Sequence, residues 1–400
     1  MRTAIVGGGA AGFFLAVNLK EMMPGMQVTV LERSHRLLAK VEVSGGGRCN
    51  CTNTFEGIID LSTVYPRGHR LLRRLFHVFD HQSAWQWFTS RGVPLTAQAD
   101  HCVFPEAQDS HAIIDCLLGE ARRRGVEVRT GCRVESLEQL GGYDFIAVTT
   151  GGATRASSLQ WLADAGHQVE PPVPSLFSLS IADTTLKALM GLVAPSAQVM
   201  IPATKVRGSG PLLVTHWGLS GPAILRLSSY GARLLHEHHY RVDLSVSWAG
   251  LDAEAMRETL IALATRHPQK LLTSVPPCGL TQRLWTYLVT KTMGTRATAR
   301  WCDIGKKDFN RLANAVSNDL LTTTGRAPFH DEFVTCGGVS LQSVSPATLE
   351  SKVCPRLYFA GEVLDIDGVT GGFNFQAAWT TAYVAAQSIA RAAQNLNTTT

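Results

Sequence analysis

The chain has 400 residues, 45% of them hydrophobic, which excludes a disordered protein and favours two or more domains. Its formal net charge is +5, from 37 Lys and Arg against 32 Asp and Glu, and the charges are spread along the sequence. That spread argues against a nucleic-acid-binding stripe or a membrane-surface patch. The nine cysteines are scattered and form no C-x-x-C pair, so neither a disulfide framework nor a metal site is expected, and a reducing cytoplasm fits best.

The N-terminal residues 4–17 superficially resemble the apolar part of a secretory signal. They are too short to span a bilayer, and their glycines are bunched where a signal helix would be continuous. We therefore interpret them as strand, turn and helix. No other apolar run approaches about twenty residues, so the sequence predicts a cytoplasmic protein without a membrane segment.

The first thirty-two residues form one predicted βαβ unit. A strand at Arg2–Val6 leads into a glycine turn, a helix at Ala10–Met22 follows, and a second strand at Gln27–Leu31 ends at Glu32. The turn reads Gly7-Gly8-Gly9-Ala10-Ala11-Gly12 and matches G-x-G-x-x-G between a strand and a helix. This context is typical of a dinucleotide-binding fold.

Each residue type in this turn has a physical reason. Gly7 makes the tight turn, Gly9 permits close approach of a pyrophosphate to backbone amides, and Gly12 lets the helix pack on the strand. Glu32 can accept hydrogen bonds from both hydroxyls of an unphosphorylated adenosine ribose. The turn alone does not distinguish FAD from NAD.

A second glycine-rich segment, Ser44-Gly45-Gly46-Gly47-Arg48-Cys49-Asn50, exposes a run of backbone donors. Arg48 and the upstream Lys40 supply positive charge suited to a phosphate or to an anionic isoalloxazine. Cys49 invites a redox role, but Cys51 is only two residues away, a poor geometry for a disulfide. We therefore favour a packed or flavin-facing thiol over a redox pair.

The next predicted elements complete the N-terminal part of the chain. They are helices near Arg70–Phe79 and Ser83–Arg91, an amphipathic helix at His111–Gly125, and strands at Val126–Thr130 and Phe145–Thr149.

The sequence changes character at Pro171-Pro172-Val173-Pro174, which indicates a domain crossing. Strands are then predicted at Leu176–Ile181, Gln198–Val206, Pro211–Thr215 and Arg241–Val246, and helices at Ala223–Leu235, Ala253–Thr265, Gly279–Lys291 and Lys307–Leu321. The last helix would place Phe309, Leu312, Val316 and Leu320 on one face.

Two features of this middle part bear on catalysis. Pro222 stands where a G-x-S-x-G nucleophile elbow requires glycine, so we reject a hydrolase. His216 beside Trp217 could donate a proton or line a substrate pocket, or it could be purely structural.

The C-terminal part again carries a pattern typical of a nucleotide-binding domain. A strand at Pro355–Ala360 ends in Gly361-Glu362, and in two-piece FAD domains such a carboxylate binds the ribitol chain, which NAD lacks. A glycine-rich loop then opens a last helix, predicted from about Asn374 to Asn395, whose N-terminal amides suit the flavin N1–C2 carbonyl edge. The tail, Asn395–Thr400, should fray. We predict one discontinuous FAD domain, residues 1–172 and 334–400, interrupted by an insertion at 173–333.

Five motifs together resemble a bacterial flavoprotein family. They are GGGAAG, SGGGRCNxTN, VFP at 103–105, THWGLSGPAIL at 215–225 and GEVLDIDGVTGGFNFQ at 361–376. The family is often labelled NAD(FAD)-utilizing dehydrogenases and includes an aminoacetone oxidase and a bile-acid enone reductase. The resemblance implies an α/β fold: a Rossmann-like FAD domain of the glutathione-reductase type, and an inserted β-barrel-like domain with a helical piece at about 251–322.

The resemblance also implies which residues contact FAD. They are Gly7, Gly9, Ala10, Ala11, Gly12, Glu32, Lys40, Ser44, Arg48, Cys49, Asn50, Gly361, Glu362, Gly371, Gly372 and Asn374, with Val134 clamping the adenine through backbone atoms. Catalytic residues are not identified beyond the weak candidates His216 and Cys49.

The leading hypothesis is an FAD-dependent oxidoreductase that passes a hydride between a small organic substrate and flavin N5. No second G-x-G-x-x-G is present, so NAD(P)H would bind only transiently at the flavin face, and oxygen is the alternative redox partner. A second hypothesis is a tRNA-modifying flavoprotein, which would use the basic cluster between Arg67 and Arg74. A third is a flavin-binding regulator without turnover. The sequence leaves the substrate, the direction of hydride transfer and the oligomeric state open.

Overall fold

The structure is a computed structural model that describes residues 1–153, 155–327 and 334–399. The strands within these ranges are β1 Arg2–Val6, β2 Gln27–Leu31, β3 Thr52–Asn53, β4 Leu95–Ala97, β5 Cys102–Pro105, β6 Glu127–Arg129, β7 Phe145–Val148, β8 Val169–Ser175, β9 Leu179–Ile181, β10 Val193–Met200, β11 Arg207–Val214, β12 Gly218–Ser220, β13 Asp243–Ser247, β14 Asp319–Arg326, β15 Val334–Val339 and β16 Leu357–Phe359.

The α-helices in the same ranges are α1 Ala10–Met22, α2 Ala39–Val43, α3 His69–Leu75, α4 His81–Thr89, α5 His111–Arg123, α6 Gln160–Asp164, α7 Thr184–Lys187, α8 Pro222–Tyr230, α9 Ala232–Glu237, α10 Ala253–Arg266, α11 Gln282–Met293, α12 Lys306–Ser317 and α13 Phe373–Thr399. No helix in these described ranges is long and apolar enough to cross a membrane.

The chain divides into two compact units, one formed by Met1–Pro174 with Phe333–Thr400 and the other by Ser175–Glu332. A five-stranded parallel sheet with the order β16-β7-β1-β2-β6 is the centre of the first unit. β16 comes from the C-terminal part and pairs with β7, with Tyr358 opposite Ala147. Both ends of the chain therefore build one sheet, which is the Rossmann-type arrangement that the sequence predicted.

Helix α1 is the core helix of this unit. Its residues from Ala11 to Leu19 are all buried, and it packs against α13 and α5. The ring of Phe14 lies 5.1 Å from that of Trp379 and 5.5 Å from that of Phe79. A helix that is apolar on every side can only be stable inside a core, so α1 holds the glycine turn at its start on a rigid support.

Two smaller sheets complete the first unit. β3, β5 and β4 form an antiparallel sheet, and β15 pairs with β8. The proline-rich stretch at 171–174 therefore lies within strand β8. Proline is tolerated there because each strand of a two-stranded sheet has one edge without a neighbouring strand, where backbone N–H groups are not needed for pairing.

The second unit contains the barrel that the resemblance implied. Six strands close in the order β10-β11-β12-β9-β14-β13, with antiparallel pairing throughout. One apolar cluster fills it and extends to the helices α10, α11 and α12, including the fully buried Trp248 and Trp285. Asp252 caps α10 by accepting from the Ala255 amide at 2.8 Å, and Pro222 occupies the first turn of α8, as predicted.

The predicted helix Lys307–Leu321 is wrong at its C-terminal end. Helix α12 ends at Ser317, and strand β14 begins at Asp319. Pairing with β13 overrides the helical pattern here, and the Trp248 indole donates to the Asp319 carboxylate at 3.0 Å. Leu320 consequently points to solvent with 65% of its side chain exposed.

Several other boundaries differ from prediction. The helix predicted at Ala223–Leu235 is two helices, α8 and α9, which meet at Gly231. Leu176 has a positive φ of 56° and separates β8 from β9. The strand predicted at Gln198–Val206 is instead β10, which ends at Met200, and a turn with Ala203 at φ 60° follows. Helix α13 begins at Phe373 and extends to Thr399, where a frayed tail was predicted. Local turn geometry of this kind leaves little trace in hydrophobic periodicity.

Candidate functional site

The glycine turn lies between β1 and α1 at the carboxyl edge of the parallel sheet. Gly7 has φ 116°, and a Cβ there would lie 2.4 Å from the Thr149 carbonyl oxygen. A Cβ on Gly12 would lie 2.0 Å from the Gly7 carbonyl oxygen. Neighbouring backbone thus leaves no room for a side chain at Gly7 or at Gly12, so only glycine fits at these two positions.

Gly9 differs from these two glycines. It is the residue before α1, no side chain caps the helix start, and a Cβ on Gly9 would meet no atom within 4 Å. The first amides of a helix have no partner within the helix and favour negative charge. The open space beside Gly9 therefore fits a phosphate group.

Glu32 lies next to this turn, half-buried at the end of β2. One of its carboxylate oxygens accepts from the Gly8 amide at 2.7 Å and the other from the Ser34 amide at 2.9 Å. The Cys132 amide donates to the Glu32 carbonyl at 2.8 Å, and Val134 just beyond it packs against the apolar cluster of Ala4 and Val6. The structure thus brings Glu32 and Val134 to the same region of the sheet.

A second carboxylate, Glu362, collects partners from distant parts of the chain. The Lys40 ammonium lies 2.8 Å from one Glu362 oxygen, and the Thr335 amide donates to the other at 2.8 Å. A Cβ on Gly152 would lie 2.6 Å from the carboxylate. Thr335 and Gly152 were not among the predicted site residues, because no motif marks either one.

The two ends of the site meet at Gly361. It has φ 78°, and a Cβ there would lie 2.8 Å from the Ala11 side chain. Its amide donates to the Thr381 hydroxyl on α13 at 2.9 Å. The N-terminal turn and the segment that carries Glu362 are therefore in direct contact.

Residues 44–53, here called the triple-glycine loop, turn sharply. Gly45, Gly46 and Gly47 have φ values of 56°, 70° and 85°, and a Cβ on Gly46 or Gly47 would meet no atom within 4 Å. The Arg48 side chain donates to the Gly45 carbonyl at 3.1 Å and lies over the Phe104 ring, 4.3 Å from its centroid. The loop thus leaves open space beside Gly46 and Gly47, while Arg48 is held by its own turn.

Residues 361–372, here called the C-terminal loop, are bonded to the triple-glycine loop. Asn53 donates to the Gly371 carbonyl at 3.0 Å, and the Asn50 amide group accepts from the Gly372 amide at 3.1 Å. Behind them, the Thr52 hydroxyl donates to the buried Gln376 side chain at 2.6 Å. Two glycine-rich segments that are over 300 residues apart in sequence form one surface.

The Asn374 side chain is bonded to the C-terminal loop. It accepts from the Gly368 amide at 2.8 Å and donates to the Gly368 carbonyl at 2.9 Å. These bonds fold the C-terminal loop onto the start of α13.

Cys49 is fully buried, with φ 59°. Burial raises the pKa of its thiol to about 12, although a hydrogen bond with Ser44 acts in the opposite direction. Burial likewise raises the pKa of the Cys51 thiol. At neutral pH the Cys49 thiol keeps its proton, which favours the packed thiol among the alternatives that the sequence left open.

His216 lies in the turn between β11 and β12 of the second unit. Its exposed ring packs edge to face on Trp217, with the ring centroids 4.3 Å apart. The Thr215 hydroxyl closes the turn by bonding both the amide and the carbonyl of Gly218 at 3.1 Å. His216 is therefore accessible on a well-ordered turn.

The basic cluster between Arg67 and Arg74 does not form one solvent-facing surface. Arg67 is an ion-pair partner of the buried Asp367, whereas Arg73 pairs with the exposed Asp60 at 3.3 Å. The cations that remain exposed are those of Arg70, Arg73 and Arg74. Arg67 is therefore not part of the exposed basic surface, which consists of the three cations on α3.

Comparison with known proteins agrees with this architecture. The family model described as HI0933-like protein Rossmann domain matches residues 1–388. The chain is 26% identical to a 3-dehydro-bile acid delta(4,6)-reductase of Clostridium scindens, covering 97% of this chain and 99% of that protein. It is 27% identical to a ribosomal RNA dihydrouridine synthase of Haemophilus influenzae, covering 97% and 98%.

The fold is also similar to that of a solved flavoenzyme structure. The 3-ketosteroid delta1-dehydrogenase of Sterolibacterium denitrificans superposes with a TM-score of 0.51 at 12% identity, covering 98% of this chain and 99% of that chain.

Proposed function

The chain belongs to the HI0933-like Rossmann family and is an FAD-dependent oxidoreductase, and we propose that it reduces a carbon–carbon double bond conjugated to a carbonyl group. The observation that carries this proposal is the chemistry shared by two relatives of full length. A bile acid delta(4,6)-reductase and a dihydrouridine synthase act on different molecules. Both names describe saturation of a double bond next to a carbonyl. The two relatives therefore share a reaction class, although their substrates differ.

The first unit supplies a binding site that fits the ADP half of FAD. We assign the pyrophosphate to the open space beside Gly9 and the amides at the start of α1. The Glu32 carboxylate would then accept hydrogen bonds from the ribose hydroxyls. These bonds would replace those from the Gly8 and Ser34 amides or add to them. Ala10 and Ala11 line the first turn of the helix, and Val134 would contact the adenine.

The flavin half would be held by residues from both chain ends. Glu362 would bind the ribitol hydroxyls, with Lys40 orienting its carboxylate. The backbone of Gly46, Gly47, Gly371 and Gly372 would lie beside the isoalloxazine. When bound, FAD supplies hydride transfer at N5, and the chain's own residues hold it and exclude water.

Double-bond reduction also needs a proton for the carbon beside the carbonyl. Cys49 is a poor donor because burial raises the pKa of its thiol to about 12. We keep His216 as the candidate donor, since its side chain is exposed and imidazole is the side chain that most often acts as a general acid. Replacing His216 with Gln should lower the rate of substrate reduction while leaving flavin reduction by the electron donor unchanged.

The reductant is the next point to test. NAD(P)H is our first choice, acting transiently because the sequence has no second G-x-G-x-x-G, and oxygen is the competing electron acceptor. The experiment is anaerobic mixing of the FAD-loaded protein with NADH or NADPH while the flavin absorbance is followed. We expect bleaching with one nucleotide. If neither nucleotide bleaches the flavin, the hypothesis that NAD(P)H is the reductant is wrong.

The pre-reduced protein should then be mixed with a conjugated enone, such as a 3-oxo-4-ene steroid, and with a saturated ketone as the control. Reoxidation by the enone alone is the expected result. Reoxidation by oxygen but by no enone would contradict the proposal and favour an oxidase. A flavin that is neither reduced nor reoxidised across a wide panel would indicate the non-catalytic regulator.

Reduction of uridine in RNA is the second candidate, and the Haemophilus influenzae relative is the observation that favours it. The same pre-reduced protein should be mixed with unmodified ribosomal RNA and with tRNA, and the product digested and analysed for dihydrouridine. Formation of dihydrouridine in the RNA, together with no turnover of small enones, would favour this second candidate.

A further inference from the structure

A short segment, residues 64–68, lies against the middle of the C-terminal loop, and we call it the strap. The Val64 carbonyl accepts from the Val369 amide at 2.8 Å, and the Tyr65 hydroxyl donates to the Phe373 carbonyl at 2.8 Å. A Cβ on Gly68 would lie 2.6 Å from the Ile366 side chain. The strap therefore contacts the C-terminal loop closely and along several residues.

The strongest contact of the strap is the ion pair of Arg67 with Asp367. The guanidinium uses two nitrogens, Nε and Nη2, to reach the two oxygens of the carboxylate. The Asp367 side chain is 0% exposed and that of Arg67 is 16% exposed. The same two residues also form an antiparallel backbone bridge. A bidentate pair of this kind fixes orientation as well as distance.

A second pair nearby provides a contrast. Arg73 on α3 reaches Asp60 with one nitrogen at 3.3 Å, and the two side chains are 63% and 53% exposed. Such exposed pairs contribute little, whereas removal of one partner from a buried pair leaves an uncompensated charge. Loss of the Arg67–Asp367 pair should therefore disturb the structure more than loss of the Arg73–Asp60 pair, although both pairs join an Arg to an Asp.

We propose that Arg67 is a positioning residue, which holds the C-terminal loop in the conformation that presents Gly371, Gly372 and the start of α13 to the flavin. This inference rests on the proposed FAD binding. Other bonds hold the C-terminal loop on either side of the strap: the Asp365 amide donates to the Val339 carbonyl at 2.9 Å, and Asn53 donates to the Gly371 carbonyl at 3.0 Å. The strap is the tie between these two.

The physical reason is preorganisation. Amide groups stabilise negative charge on a bound group only if they are fixed in place before the charge develops. The reduced flavin carries more negative charge than the oxidised flavin at its N1–C2 edge. A loosened C-terminal loop should therefore weaken FAD binding and, in addition, weaken binding of the reduced form more than that of the oxidised form.

The test uses the full chain loaded with FAD and the variant Arg67→Gln. We expect at least a tenfold rise in the FAD dissociation constant, measured by flavin fluorescence. We also expect a lower midpoint potential. A tenfold larger loss for the reduced form corresponds to about 30 mV for a two-electron couple. The matched control is Arg73→Gln, which should leave both quantities at the wild-type values.

A conservative variant separates position from charge. Arg67→Lys keeps the positive charge but loses the fork, so its potential should lie between those of the wild type and Arg67→Gln. If Arg67→Gln binds FAD with wild-type affinity and wild-type potential, the positioning role is wrong. If the wild type itself binds no FAD, it is the proposed function that fails.

Hydrogen exchange of the wild type provides a measurement that does not depend on folding of a variant. The amides of residues 64–68 and of 365–373 should gain protection together when FAD is added. Protection of 365–373 alone, with the strap unchanged, would overturn the inference.

Discussion

The molecule contains two glycine-rich regions that are stabilised in different ways. The turn Gly7–Gly12 is closed by a contact between Gly7 and Gly12 themselves and by Thr149, which follows the adjacent strand β7. The C-terminal loop is closed by partners more than 250 residues away, including Asn53 and Arg67. The first region thus depends on one βαβ unit and the end of strand β7, whereas the second exists only when the two chain ends have assembled.

This difference predicts different consequences of mutation. Damage to the turn should disrupt the helix and sheet packing of the first unit as well as the binding of FAD. Damage to the C-terminal loop should cost less stability and should also weaken FAD binding.

The largest effect is expected for Gly12→Ala. Its Cβ would lie 2.0 Å from the Gly7 carbonyl oxygen, so α1 must move away from β1. We expect a loss of about 3 kcal/mol in the free energy of unfolding, as for overpacked cores, and protein that purifies without flavin. Urea unfolding and the flavin absorbance measure the two effects. The matched control is Gly9→Ala, where a Cβ has open space, so stability should stay within about 0.5 kcal/mol while FAD binding weakens.

The next effect is expected for Gly372→Ala in the second region. Gly372 has φ 87°, and its Cβ would lie 2.1 Å from the Thr52 carbonyl oxygen. We expect a loss of about 2 kcal/mol, from left-handed strain together with the contact. Gly46→Ala has a similar φ of 70° but open space, so it should cost only about 1 kcal/mol. Equal losses in the two variants would mean that the contact between the loops is unimportant.

A smaller effect is expected for Glu362→Gln. The carboxylate is held by Lys40 and the Thr335 amide, and the Lys40 side chain is 54% exposed. Loss of this pair should therefore change the free energy of unfolding by less than about 1 kcal/mol. FAD should bind about tenfold more weakly, since hydrogen bonds from the ribitol to a charged group are lost. Glu42→Gln, in the exposed pair with Arg36, is the control and should leave FAD affinity unchanged.

The smallest effect concerns the pH dependence contributed by Cys49. Its pKa is raised from 9.0 to about 12 by burial, so the folded protein keeps the proton where an unfolded thiol would lose it. The stabilisation is therefore fully present below about pH 9 and is lost as the pH rises toward about 12. Thiol titration of the native protein at pH 8 should modify the exposed Cys278 and Cys302 but leave Cys49 intact. Rapid modification of Cys49 would show that the triple-glycine loop opens.

Sequence patterns predicted the first region well and the second only in part. The βαβ unit of β1, α1 and β2 has the predicted bounds, because the apolar pattern and the glycine spacing are both local. Helix α12 was predicted to continue to Leu321, since the apolar spacing persists. Pairing with β13 decides otherwise, and that pairing depends on residues more than 70 positions away.

Among the candidate site residues, the assignments to FAD remain predictions, but the structure shows which of them lie together. Glu32 lies at the glycine turn, and Glu362 lies beside Lys40. Thr335 has no sequence signal, because it acts through its backbone amide, which every residue type possesses. Arg67 carries a misleading signal, since it stands in a basic cluster yet pairs with a buried carboxylate.

The sequence by itself determined the type of fold and the glycine turn, since strand, turn and helix follow from periodicity and from residues within thirty positions of one another. Only the tertiary structure decided the partners of Glu362, the burial of Cys49 and the role of Arg67. The physical reason is that a side chain's charge, pKa and contacts depend on which distant segments surround it. At Gly361, the N-terminal turn and the C-terminal loop touch across 350 positions of sequence, counted from Ala11 to Gly361.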